Sequence, residues 1–240
     1  VEIERHADDA AYLDILDDTL RRLQAMITPD LGSAAMSDAY RDIFTSRAGM
    51  FRHHFAAAID ANPDFTDGDN CFEVLRGVNF VATHGARVRD HRDLLSPNVV
   101  DNVDRGLACS LADVAEAHLQ QSRIARAWLD LFEDIDVVIC PAASSTPFTH
   151  DQWSVTEIDG TPMETYMRWL GITYLPTMAL ACAVAVPCGL DHAGMPFGIQ
   201  VLSAPGNDRL VMEVARALES VLAGHDATRR PLPDLDRLRG

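Results

Sequence analysis

The stretch from Cys182 to Glu219 reads CAVAVPCGLDHAGMPFGIQVLSAPGNDRLVMEVARALE, and in it glycine, proline and a lone glutamine stand where chain geometry calls for them. Cys182 to Val186 is an apolar run of strand length closed by Pro187 and Gly189, and Phe197 to Leu202 is a second run opened by Gly194 and Pro196. Two buried strands joined by a turn follow from this. Pro205, Gly206 and Asn207 break the second strand, with Asn207 placed to cap a helix whose Leu210, Val211, Val214, Leu218 and Val221 recur at helical spacing. The predicted unit is strand, turn, strand, loop, helix.

Working outward, Val137 to Cys140 has the β-branched content and length of a buried strand, stopped by Pro141. A long helix precedes it, from a capping-box-like start at Ser110 and Asp113 to Phe132. Ser96 and Pro97 supply a cap and first residue for a helix over Asn98 to Asp104, and Asn70 to Arg92 is predicted helical. Strands alternating with long helices indicate an α/β fold. Ala142 to Thr161 is rich in Ser, Thr, Pro and Gly and is predicted as a long loop, with Pro162 opening another helix toward Leu170. Nearer the start, Leu13, Leu16, Leu20 and Leu23 predict a helix over Asp8 to Met26, ended by Pro29. Tyr40, Ile43, Phe44, Met50 and Phe55 predict another over Ser37 to Ala61, ended by Pro63. There is no internal repeat or low-complexity linker. The expected organisation is a helical segment over residues 1–94, with the option of a separate cap, and a continuous α/β part over 95–240.

These residues resemble the amidase signature hydrolases. The family's C-terminal half carries a pattern close to Pro-Ala-x-x-x-Pro-x-Gly, then Gly-x-Pro-x-Gly-x-Gln, then a helix. The second element is complete here as Gly194, Pro196, Gly198 and Gln200, and the first survives as Ala183, Pro187 and Gly189 with Cys182 in place of the proline. Ser96, Pro97, Gly106, the helix after Ser110, Phe132, Asp136 and Pro141 extend the similarity upstream, so that it covers residues 95 to 222. The resemblance implies a mixed β-sheet flanked by helices, present as an incomplete C-terminal portion with a helical N-terminal segment. It also implies an amidase that cleaves a carboxamide C–N bond through a serine acyl-enzyme, with no cofactor.

The family's triad is a serine nucleophile, a second serine on a cis peptide bond and a lysine base, and this chain has no lysine: all 20 of its Lys and Arg residues are arginine. A Gly-Gly-Ser-Ser-Gly-Gly loop, whose glycines let backbone N–H groups approach an oxyanion, is absent too. No residue of the chain is therefore assigned a catalytic role, and the chain by itself is expected to be inactive. Val1 in place of methionine fits a fragment or processed product whose missing part lies upstream. The alternative is a non-catalytic amidase-like subunit that binds a ligand or partner; a tRNA-dependent amidotransferase A subunit is a lesser option.

By the resemblance, the segment after the Asp136–Pro141 strand and the segment before Cys182 help wall the cleft facing the nucleophile. Ser144, Ser145, Thr146, Trp153, Tyr174, Thr177 and Leu180 are thereby candidate substrate-binding residues. Thr177 and Leu180 depart from the Asn and Gly common there; the bulkier Leu180 narrows the site or moves the helix end. Ser144 and Ser145 are not nucleophile candidates, since Ala and Thr flank them where glycine is required. No Gly-x-Ser-x-Gly elbow marks another serine.

Composition bounds the rest. The 240 residues are 48% apolar, enough for a sizeable core, and the net charge of −16 makes nucleic-acid phosphates and anionic membranes poor partners. No run of 18 apolar residues spans a bilayer, and a cytoplasmic location is the default expectation. Cys71, Cys109, Cys140, Cys182 and Cys188 form no C-x-x-C pair, against both a disulfide framework and a zinc site. Neither His53 with His54 nor His84 with His91 has the i, i+4 spacing of helical metal ligands. The acidic loop with Asp64, Asp67, Gly68 and Asp69 fails calcium-loop spacing, because Pro63 and Phe65 stand where ligands are needed. No metal site is predicted. Expected partners are a small-molecule amide and the missing N-terminal half, with a homodimer as a further option.

Overall fold

The computed structural model describes residues 10–31, 35–60, 65, 67–233 and 235. In chain order its elements are α1 (Ala10–Leu20), β1 (Gln24–Ile27), α2 (Asp38–Phe51), β2 (Ala57–Ile59), α3 (Gly68–His91), α4 (Pro97–Ala108), α5 (Leu111–Asp134) and β3 (Val137–Pro141). There follow β4 (Glu157–Ile158), β5 (Thr161–Pro162), α6 (Gly171–Thr177), β6 (Cys182–Leu190), β7 (Pro196–Ser203) and α7 (Asp208–Ala223).

The main sheet has five strands in the order β2-β1-β3-β7-β6. Its first three strands run parallel, and β7 and β6 are added antiparallel, with Cys140 opposite Gln200 and Gln200 opposite Ala185. The sheet is mixed and helix-flanked, as the resemblance implied. Every residue of β3 is buried, which explains why its sequence is apolar on both faces rather than alternating. α7 buries Val211, Val214, Ala215, Leu218 and Leu222 and packs on β6, β7 and α1. Each such Val or Leu contributes about 1.5–3 kcal/mol on leaving water.

The second helical group is built around α3. α4 crosses it where Gly77 meets Gly106: a Cβ on Gly77 would lie 3.0 Å from the Gly106 Cα, and one on Gly106 would overlap the Gly77 carbonyl. α5 starts at a true capping box, the Asp113 N–H donating to Ser110 Oγ at 3.2 Å and the Ser110 N–H to the Asp113 carboxylate at 2.8 Å. Asn207 and Ser96 occupy cap positions without a side-chain cap bond; Asn207 Nδ2 donates to Ser203 Oγ at 3.0 Å, tying the helix start back to β7.

Several local expectations are corrected. The Asp8–Met26 helix stops at Leu20, and Gln24–Ile27 is a strand between β2 and β3. The Ser37–Ala61 helix stops at Phe51, and Ala57–Ile59 is the strand beside β1. Both strands are too short for a period to show against the helices before them. β6 runs past Pro187 and Gly189 to Leu190, with an irregular register there. The stretch predicted as a loop carries the β4–β5 hairpin, and Pro162 closes that hairpin rather than opening a helix. Asp159 and Gly160 both have positive φ, 48° and 80°, the Asp-Gly pairing that primed hairpin turns select. The hairpin tip serves another element: the Asp159 carboxylate accepts the Asp38 N–H at 2.6 Å, putting negative charge at the start of α2.

Asp64 of the acidic loop lies outside the described residues, as do Ala61, at the end of the predicted helix, and Pro63, which was to stop it. Among the described residues no group of three or more His, Cys, Asp or Glu is arranged to hold a metal, and no helix is long and apolar enough to cross a membrane. All five cysteines are free thiols.

Candidate functional site

Gln200 joins the two segments named as cleft wall. The strand alternation that buries Ile199 and Val201 on one face of β7 turns Gln200 to the other, where its amide donates to the Pro141 carbonyl at 3.1 Å and to the Ile172 carbonyl at 2.8 Å. The end of β3 and the first turn of α6 are thereby fixed to one side chain. Ser144 adds a second tie, its buried hydroxyl donating to the Trp169 carbonyl just before α6. Its carbonyl also accepts the Ser37 N–H at 2.9 Å, so the start of α2 is held there as well. The Ser144 proton is committed to a carbonyl, which is a structural use of the hydroxyl.

Thr146 belongs to a second cluster, around Asp191 in the β6–β7 turn. The nearly buried Asp191 carboxylate accepts from Thr146 Oγ1, from Tyr40 Oη at 3.2 Å, and from the Ala193 and Met195 N–H groups at 2.8 Å each. Burial alone would push this carboxyl up; the hydrogen bonds from Thr146, Met195, Ala193 and Tyr40 outweigh it and hold the group below its ordinary range. Burial, together with the neighbouring Asp191 charge, pushes the Tyr40 phenol in the opposite direction, well up.

Tyr174 sits in a third cluster, on the side facing α3. Its ring stacks on Phe72 at 4.1 Å, and its hydroxyl donates to Asp69. Arg168 completes the cluster, reaching Asp69 at 3.1 Å, Glu73 at 2.7 Å and Glu164 at 3.0 Å, while Thr165 donates to Glu73 at 2.8 Å. Asp69 and Glu73 lie one turn apart on α3, so one helix face clamps the whole 164–174 segment. Burial and the Asp69 carboxylate push the Tyr174 phenol well up, so it stays a neutral donor.

The remaining candidates are open to solvent. Thr177 is exposed at the end of α6 with its hydroxyl on the Thr173 carbonyl, Leu180 is 77% exposed, and Trp153 is 71% exposed ahead of β4. Ser145 is half-buried, with a long 3.5 Å contact to the Thr146 carbonyl. The seven residues therefore do not form one cluster. Ser144 and Tyr174 are interior supports, Thr146 belongs to the Asp191 turn, and Thr177, Leu180 and Trp153 are surface groups. Sequence reasoning missed Asp191, Tyr40, Asp69, Glu73 and Arg168. Only Arg168 carried a signal, as the sole Lys or Arg between Arg126 and Arg209.

Comparison with known proteins agrees with this architecture. Curated relatives include the glutamyl-tRNA(Gln) amidotransferase A subunit of Geobacter metallireducens, 28% identical over 46% of this chain and 21% of its own length, and that of Cyanothece sp., 32% identical over 40% and 18%. Among solved structures, a bacterial aryl acylamidase of the amidase signature enzymes superposes with a TM-score of 0.75 at 18% identity, over 92% of this chain and 49% of the other. A protein from a vestigial complex tied to the origins of an s-triazine catabolic enzyme superposes with a TM-score of 0.74 at 20% identity, over 91% and 46%. The chain thus spans about a fifth of those curated relatives and about half of those structures. The family model described as Amidase matches residues 89–212, just over half of the 240, which covers α4, α5, β3, the Gln200 tie and the β6–β7 pair, and the chain belongs to the amidase family.

Proposed function

We propose that this chain is the C-terminal part of an amidase that hydrolyses a carboxamide C–N bond through a serine acyl-enzyme, supplying part of the sheet and one wall of the substrate pocket. The observation that carries this reading is the Gln200 tie. It fixes the end of β3 and the start of α6 together, while Thr177 and Leu180 at the far end of α6 stay exposed beside the open residues of β6. A rigid support under an exposed polar and apolar rim suits a pocket wall completed by another segment. In this reading Leu180 contacts the apolar part of the amide, Trp153 closes over it, and Ser144, Tyr174 and Thr146 hold the wall in place. The serine nucleophile and its base come from outside the 240 residues, because no lysine is present. The substrate is a small amide, and the protein works in the cytoplasm.

A non-catalytic partner subunit is the second reading, favoured by the absence of a lysine base and by the likeness to a protein of a vestigial complex. The test is to purify residues 1–240 and assay aryl and aliphatic amides, then repeat with the protein encoded by the reading frame upstream of Val1. The proposal expects no turnover alone and turnover in the pair. Turnover by the chain alone that a serine-directed acylating inhibitor abolishes would overturn it; an inactive pair that still assembles would favour the partner subunit.

A further inference from the structure

Behind the β6–β7 turn lies a cavity of about 380 Å³ lined by Arg47, Gly189, Leu190, Asp226, Ala227, Arg229, Arg230 and Pro231. None of the seven candidate wall residues lines it. Three of its eight lining residues are arginines, in a chain where acidic side chains outnumber basic ones 36 to 20.

Arg47 is the informative one. Its half-buried guanidinium donates to the Cys188 and Leu190 carbonyls and lies over the Phe197 ring at 4.9 Å, so its orientation is fixed. Among the described residues it makes no ion pair. A fixed, partly desolvated cation without a carboxylate is unusual, since buried charge is normally paired. The two carbonyl contacts leave further N–H groups of its five-donor fork. Arg229 is paired with the exposed Asp226, and Arg230 reaches Glu219 only at 3.9 Å, so the lining keeps an excess of positive charge. The close approach of the chain at Gly189 brings these groups together: φ is 78° there, and a Cβ would overlap the Ala227 carbonyl, so a larger residue would push the Arg229 segment away from Arg47.

We propose that this cavity binds a small organic anion bearing a carboxylate or a phosphoryl group, with Arg47 as the fixed contact and Arg230 and Arg229 closing on it from the rim. Planar guanidinium forks suit both anions. The cavity exceeds what one inorganic anion fills, which leaves room for an organic body.

The test titrates the purified chain by calorimetry with inorganic phosphate, pyrophosphate and succinate, each against sodium chloride at matched ionic strength. Saturable binding of at least one is expected, weakened about tenfold in Arg230→Gln, a rim substitution that leaves the interior intact. Tighter binding of the phosphates assigns a phosphoryl ligand, and tighter binding of succinate a carboxylate. No saturable heat with any of the three, or binding by Arg230→Gln within threefold of the parent chain, would overturn the proposal. Circular dichroism of the variant confirms that it is folded.

Discussion

Leu180 stands where helices usually end on glycine. Its φ of 56° is left-handed, the Ala181 N–H reaches back to the Pro176 carbonyl at 3.2 Å, and its side chain points out with 77% exposure. A leucine there carries a conformational strain of about 1–2 kcal/mol without burial to offset it. Leu180→Gly is therefore expected to stabilise the chain by about 1 kcal/mol, read as a higher urea midpoint, and, on the proposed function, to weaken binding of amides with bulky apolar groups. An unchanged or lower midpoint would show that the side chain is held by contacts within the chain. Asp191 gives a pH test. Its folded value lies below the ordinary 3.8, so its contribution is fully present above about pH 3.8 and is lost as pH falls through the lower folded value. Asp191→Asn is expected to cost about 1–3 kcal/mol at neutral pH, with the gap to the parent chain closing in acid. A gap that stays constant down to acid unfolding would mean that the charge contributes nothing.

At the scale of elements, space rather than conformational freedom decides two glycines. A methyl group on Gly106 would overlap the Gly77 carbonyl, so Gly106→Ala must separate α3 from α4 and is expected to cost about 1–3 kcal/mol. On Gly198 the same methyl would meet the Ala142 Cβ at 3.4 Å and the Val186 carbonyl at 3.6 Å, so Gly198→Ala should stay within about 1 kcal/mol. Chemical denaturation of the two variants checks the order, and equal losses would show that the helix crossing relaxes freely. The difference marks what the sequence discloses. β7 was legible because Gly194 and Pro196 open it and Pro205 and Gly206 follow it, β6 only as an apolar run, since it continues through Pro187 and Gly189, and α5 because its capping box is local. β1, of four residues, and β2, of three, were hidden in apparent helical periods, since a strand that short acquires its identity from the neighbour it pairs with. Asp159 and Gly160 lie in a stretch whose Ser, Thr, Pro and Gly content predicts a loop, and composition alone does not show that this pair turns a hairpin. The clamp on the candidate wall was invisible for a different reason: Arg168 meets Asp69 and Glu73 across more than 90 positions, and no local spacing encodes that encounter. Gln200 was visible as a residue, but its two carbonyl partners were not.

For the molecule as a whole, charge and apolar surface are in different places. β6 is the last described strand on its side of the sheet, and from Ala179 to Leu190 it and its approach carry no charged residue. Ala183, Ala185 and Pro187 are exposed along it, and Leu180 and Leu190 extend the apolar surface at its ends. Arg47 engages the Cys188 and Leu190 carbonyls, leaving the stretch from Cys182 to Pro187 without a charged guard. Strand edges of this kind pair with other chains unless something covers them. The net charge of −16 opposes association at long range, but its field is screened beyond about 8–10 Å at physiological ionic strength and does not protect one edge locally. Added salt should therefore promote oligomers of the isolated chain. Lowering the pH toward 4.8 should do the same by removing the net charge. Size-exclusion chromatography with light scattering, across a salt series and from pH 8 to 5, measures this. Replacing Ala185 with lysine, which places a charge on the exposed face of β6 without filling the core, should suppress the oligomers, and so, on the proposed function, should co-expression with the protein encoded by the reading frame upstream of Val1. A monomer at every salt concentration and pH would show that β6 needs no cover, and would remove the physical reason for assigning this surface to another part of the amidase.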